Sequence, residues 1–183
     1  MKRLDLRKDF ADFSSFIAAR VKAFDPAVNP GPGKGKRVSR IDAGFGLFDD
    51  GWICLVFDTR RSPEPDGEWN EYIEDTVLER PKWAKACEAL EAVPLTLVQA
   101  DGTKRELKVG NTKGLVKALG DMLRMALLHA RDGGVFAALP KTPRCELGVE
   151  EQDGSYGWPT YKARGAGNRA EPVAGAVTAA KGR

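Results

Sequence analysis

Between Asp58 and Glu79 the chain carries eight carboxylates, Asp58, Glu64, Asp66, Glu68, Glu71, Glu74, Asp75 and Glu79, against Arg60 and Arg61. Acids at this density serve general acid–base catalysis, metal-assisted hydrolysis or electrostatic capture of a basic partner. Glycosidase-type or metal-assisted chemistry needs two carboxylates singled out by spacing and environment, and this run contains no preferred pair. Trp69, Tyr72 and Ile73 are interleaved with the acids, which matches an aromatic anchor inside the charged rim of a protein interface. The residues expected to meet a partner are therefore Asp58, Glu64, Asp66, Glu68, Trp69, Glu71, Tyr72, Glu74 and Asp75. The plain alternative is a solvated connection, since Ser62-Pro-Glu-Pro-Asp-Gly67 has the composition of a surface loop and charge keeps edge strands from pairing.

Other residues that could do chemistry are sparse. His129 is the only histidine, which excludes multi-histidine metal sites and makes any Ser-His or Cys-His mechanism depend on one ring. It falls near the edge of an apolar helical stripe, with no Gly-x-Ser-x-Gly elbow in the chain, so a structural or half-exposed histidine is expected. Gly31-Pro-Gly-Lys-Gly-Lys36 has the glycines and lysines of an anion loop but not the phosphate-loop spacing: Pro30 stands at the first glycine position and Arg37 where Ser or Thr is required. Cys54, Cys87 and Cys145 match no metal-ligand spacing and are odd in number, so neither a zinc site nor a disulfide framework is expected. No catalytic residue, cofactor site or metal site is assigned, and an enzyme is the less favoured class.

Nucleic-acid binding would rest on Lys34, Lys36, Arg37 and Arg40, on Lys104, Arg105 and Lys108, and on Lys113, Lys117 and Arg124. These basic clusters, 34–40, 104–108 and 113–124, come with no recognition motif or stacking platform, and the acidic run would repel phosphates. The formal charge of +3 over 183 residues is unevenly spread, with ten Lys and Arg against four acids in residues 1–40. Such asymmetry governs which partners arrive and how fast, and says nothing about fold. No stretch approaches eighteen continuous apolar residues and no apolar segment follows the basic start, so a protein without membrane span or signal peptide is expected, in a reducing cytoplasm.

The elements that position these residues follow from periodicity. Phe10, Phe13, Ile17, Val21 and Phe24 repeat at three and four residues and predict a helix over about 7–24, ended by Asp25-Pro26. The Pro/Gly-rich stretch 27–36 then reads as a loop. Ile41, Ala43, Phe45 and Leu47 alternate, and Trp52 to Phe57 follows the Asp49-Asp50-Gly51 turn. This hairpin's second arm is too apolar to meet water on either face. A short strand near 69–74 is the next expectation. Pro81 suits a first helical turn, before an apolar face of Trp83, Ala86, Cys87 and Leu90. Leu95 to Val109 predicts a hairpin about a type I′ turn at Asp101-Gly102. Asn111 or Thr112 can cap a long helix with Leu115, Leu119, Met122, Leu123, Ala126, Leu127 and Ala130 on its inner stripe, closed by Gly133-Gly134. A last hairpin spans 145–151 and 156–161. The sum is an α+β fold, a mainly antiparallel sheet built from hairpins with about three helices packed on it. Residues 1–162 form a single domain and 163–183 a flexible Ala/Gly-rich tail.

The stretches Val56-Phe-Asp-Thr-Arg60, Pro65-Asp-Gly-Glu-Trp69 and Leu78-Glu-Arg-Pro-Lys-Trp83 resemble, in general style, small bacterial immunity-type proteins that accompany polymorphic toxins. The resemblance covers under a quarter of the chain and carries no diagnostic motif. It implies a compact, cytoplasmic α+β protein with an acidic binding face, and transfers no functional residue. Together with the acidic run it points to a non-catalytic inhibitor or adaptor that occludes a basic toxin or enzyme partner. A nucleic-acid-associated protein, or a hydrolase using the carboxylates of 58–79, is the alternative.

Overall fold

The computed structural model describes residues 2–25, 37–47, 50–59 and 77–158. In chain order these form β1 (Lys2–Asp5), α1 (Arg7–Ala23), β2 (Val38–Gly46), β3 (Trp52–Asp58), β4 (Leu78–Glu79), α2 (Pro81–Leu90), β5 (Leu95–Val98), β6 (Lys104–Leu107), α3 (Thr112–Asp132), a 3-10 turn (Val135–Ala138), β7 (Lys141–Glu151) and β8 (Gly157–Trp158). The fold is α+β, and its helices follow the expected stripes. α1 buries Phe13, Ile17 and Val21. The Asn111 side chain caps α3 by accepting the Gly114 N–H at 3.0 Å, and Gly134, at φ 74, turns the chain out of that helix. Each large apolar side chain so buried contributes about 1.5–3 kcal/mol.

The strands make two mixed sheets instead of one built from hairpins alone. A three-stranded sheet has the order β1-β5-β6 and a five-stranded sheet the order β4-β3-β2-β7-β8. The expected hairpins β2/β3, β5/β6 and β7/β8 are antiparallel, but β1 joins β5 and β2 joins β7 in parallel. Parallel pairing needs a crossover and so brings together strands distant in sequence, with no turn residues to announce it. The Asp101-Gly102 turn also differs from expectation. Gly102 takes φ 86, whereas Asp101 is not among the left-handed residues. Gly102 N–H donates to Gln99 O at 2.9 Å and Gln99 N–H to Thr103 O at 2.8 Å. This is a three-residue loop with one left-handed glycine, the form a type I turn takes in a hairpin. Consecutive positive φ angles occur instead at Asp50 and Gly51, at 70 and 69.

On one face of the five-stranded sheet Ile41, Ala43, Phe45, Ile53, Leu55, Phe57 and Val149 join Phe13 and Ile17 of α1 and Leu119, Leu123 and Leu127 of α3 in a common core, which also takes in Leu4, Leu95, Leu97 and Leu107 of the smaller sheet. β3 is buried along both faces, as its composition requires: Cys54 is 1 % and Val56 2 % exposed on the side opposite Leu55. The strand expected at 69–74, the 27–36 loop, and the 162/163 boundary with its tail lie outside the described residues.

Candidate functional site

The second face of the five-stranded sheet carries the charge. Residues opposed across an antiparallel pair, and in register across a parallel one, share a face. Arg40 opposes Asp58 on β3 and is in register with Glu146 on β7; Asp42 is in register with Gly148, and Gly44 with Glu150. Among the described residues, one face therefore holds the Arg40 guanidinium and the carboxylates of Asp42, Asp58, Glu146 and Glu150. Arg40, Asp42 and Asp58 are each 0 % exposed.

Geometry ranks these contacts. Arg40 Nε donates to Asp42 Oδ2 at 2.6 Å, a charge-assisted bond at its strongest range. Arg40 Nη1 reaches Glu146 Oε2 at 3.5 Å and Nη2 reaches Glu150 Oε1 at 3.4 Å, at the outer limit of hydrogen bonding. The Glu146 and Glu150 side chains remain 55 % and 28 % exposed. Asp42 Oδ1 is buried with no hydrogen-bond partner among the described residues. Desolvation is the main influence on this carboxyl, only partly offset by Arg40, and pushes it up from the ordinary 3.8 to about 6; Glu150 and Asp58 add to the rise. Gly148 makes the arrangement possible, because a methyl group there would overlap both Asp42 Oδ1 and the Arg40 guanidinium.

The partner-binding set expected from sequence meets this geometry at one residue. Asp58 is described and is 0 % exposed, so it is not displayed to a partner, a correction to the expected role; its register opposite Arg40, on the last position of β3, is the reason. Glu64, Asp66, Glu68, Trp69, Glu71, Tyr72, Glu74 and Asp75 lie outside the described residues. Glu146 and Glu150, not singled out from sequence, are the half-exposed acids of the described face. Their signal was alternation: in Glu146-Leu-Gly-Val-Glu150, Leu147 and Val149 take the opposite face.

The basic clusters are also redistributed. Arg40 is enclosed by acids and buried, so it cannot contact a phosphate backbone. Lys34 and Lys36 lie outside the described residues. Lys104, Arg105, Lys108 and Lys113 are exposed, whereas Lys117 pairs with Asp121 and Arg124 stacks over the Trp158 ring at 4.9 Å. A shallow depression of about 360 Å³ on α3 is lined by Lys117, Asp121, Arg124, Met125 and Leu128. It contains neither a paired-carboxylate arrangement nor His129. That histidine is exposed, its ring 6.0 Å from Phe10.

Two further acids are buried in bracing roles that sequence reading missed. Asp9 Oδ2 accepts the Trp83 indole N–H at 3.3 Å, and Asp9 Oδ1 pairs with Lys82 at 2.9 Å and Arg80 at 3.2 Å, tying α1 to α2. Its signal was position, four residues before Phe13 on the inner stripe. Glu151 Oε2 accepts from Asp153 N, Ser155 N and Ser155 Oγ, closing the last turn. Cys54, Cys87 and Cys145 are free thiols. Burial raises all three, Cys54 to about 12 and Cys145 to about 11, which disfavours the nucleophilic thiolate. Among the described residues no cluster of His, Cys, Asp or Glu is arranged to hold a metal ion, and no helix is long and apolar enough to cross a membrane. Comparison with family models, curated proteins and solved structures finds no match for this chain.

Proposed function

We propose that this chain is a non-catalytic binding protein of the immunity or inhibitor kind, which captures a basic protein partner through carboxylates and occludes its working surface. The observation that carries the reading is the gathering of carboxylates on the second sheet face, where among the described residues Asp42, Asp58, Glu146 and Glu150 share one side and the Glu146 and Glu150 side chains are 55 % and 28 % exposed. β3 leads from that face into residues 60–76, which hold six acids against two arginines. Opposed charge of this density speeds encounter with a cationic surface, and aromatic side chains such as Trp69 and Tyr72 supply the short-range hold.

The test is affinity capture with the tagged full chain, run in parallel with the E68K/E71K/E74K variant, followed by identification and purification of the captured protein. The expected result is a basic protein whose retention falls with salt, whose association with the variant slows by about tenfold or more, and whose own activity the chain inhibits. Capture of nucleic acid, or a partner indifferent to the charge reversal and to salt, would count against it.

A further inference from the structure

We infer that the depression on the outer side of α3 is a second docking site, opposite in chemistry to the acidic surface, and that it takes an amphipathic helix of a protein partner carrying an acid one turn away from a large apolar side chain. It does not rest on the reading above. Lys117, Asp121, Arg124, Met125 and Leu128 line the hollow. Positions 117, 121, 124 and 128 recur at three and four residues, the outer stripe of a helix whose other side is buried at Leu119, Leu123 and Leu127.

The end of the described chain builds the cationic part of this stripe. Tyr156 lies against Gly120, where a Cβ would fall within 2.6 Å of its ring atoms, and its hydroxyl donates to Asp121 Oδ1 at 3.0 Å. Burial, with the Asp121 carboxylate, pushes this phenol up and keeps it a donor. Lys117 Nζ donates to Asp121 Oδ2. Both oxygens of the acid three residues before Arg124 are thus engaged, and Arg124 makes no ion pair among the described residues. Its guanidinium is held over the Trp158 ring at 4.9 Å, and a ring attracts a guanidinium without offering a lone pair to its N–H donors. Met125, next in sequence, is 39 % exposed, and Leu128 one turn on is half-buried. A cation without a carboxylate therefore stands one helical turn, about 6 Å, from an apolar spot. A partner helix repeats at the same interval, so an acid and a large apolar residue at i and i+4 meet Arg124 and Leu128 together, while Met125 supplies an adaptable wall. The chain's own continuation has the wrong sign for this role, since residues 159–183 hold five Lys and Arg against Glu171.

The test uses the full chain labelled with carbon-13 at its methionine methyls. Met125 reports on the hollow, and Met122, 2 % exposed on the inner side of α3, is the internal control. The probe is a helical peptide of about twenty residues with Leu and Glu alternating at successive turns of one face and Ala and Gln elsewhere. The expected result is a Met125 shift that saturates with this peptide, is lost with the counterpart bearing Lys for Glu, and requires about tenfold more peptide in R124Q. No shift at Met125, an equal response to the Lys peptide, or indifference to R124Q would overturn the site. A response to octanoate but not to the peptide would overturn a partner helix as its occupant. If R124Q loosens Trp158, the wild-type comparison of the Glu and Lys peptides still decides the matter.

Discussion

Replacing Asp42 by Asn should change the pH dependence of stability in a direction opposite to that of most acid substitutions. The folded protein holds this carboxyl near 6, against 3.8 ordinarily. A group raised in the folded state contributes stability that is fully present below the unfolded value and is lost as pH rises through the folded one. At about 1.4 kcal/mol per pH unit, the difference of roughly two units corresponds to about 3 kcal/mol lost between pH 4 and pH 7. Asparagine stays neutral, and its side-chain oxygen can still accept from Arg40 Nε. Any fixed cost of the amide is the same at every pH, so the quantity to follow is the difference between the two proteins. Urea denaturation followed by tryptophan fluorescence at half-unit intervals should show that difference moving by about 3 kcal/mol in favour of D42N from pH 4 to pH 7. A difference that stays constant, or moves in favour of the wild type, would refute the account of Asp42 as an under-compensated buried acid. D42A would instead remove the buried carboxylate that accepts from Arg40 Nε at 2.6 Å and should cost about 3–5 kcal/mol.

Substitutions at three other positions probe the scaffold. Gly148→Ala would drive a methyl into the Arg40–Asp42 pair, so chemical denaturation should show a loss of about 3 kcal/mol or more. Gly120→Ala would set a Cβ within 2.6 Å of Tyr156 ring atoms and displace a phenol that donates to Asp121 at 3.0 Å; a thermal melt should register about 1–3 kcal/mol. Asp9→Ala should cost about 3–5 kcal/mol by the same denaturation, because it leaves the Trp83 N–H and two cations without their buried acceptor, and Asp9→Asn should cost less.

Where the fold was legible in the sequence, a short-range physical signal produced the element. The i, i+3, i+4 spacing of α1 and α3 is the helix period itself, and the asparagine and glycines at the ends of α3 act within a few residues. The hairpins were announced by Asp-Gly pairs between alternating arms. β1 was not, because four residues with three charges bear no periodicity, and its partner β5 begins at Leu95. The first part of β7, which follows Pro140 and contains Pro143, carries no strand signal and falls outside the expected arm 145–151. It is a strand whose register slips between its pairings with Val38 and Arg40, a place where proline is tolerated. The acidic character of the candidate site was visible as composition. Its geometry was not, since Arg40 meets Glu146 only through a pairing that spans more than a hundred residues.

That long-range pairing has a consequence for biosynthesis. β2 sits between β3 and β7, and β3 follows it almost at once, whereas β7 leaves the ribosome about a hundred residues later. Until then one side of β2 lacks its permanent neighbour, and Arg40 and Asp42 are made before Glu146 and Glu150 exist. High contact order of this kind slows the final closure and lengthens the time for which a nascent chain offers an open strand to others. Quality of expression should therefore respond more to changes in β7 than to equal changes in the hairpin that precedes it.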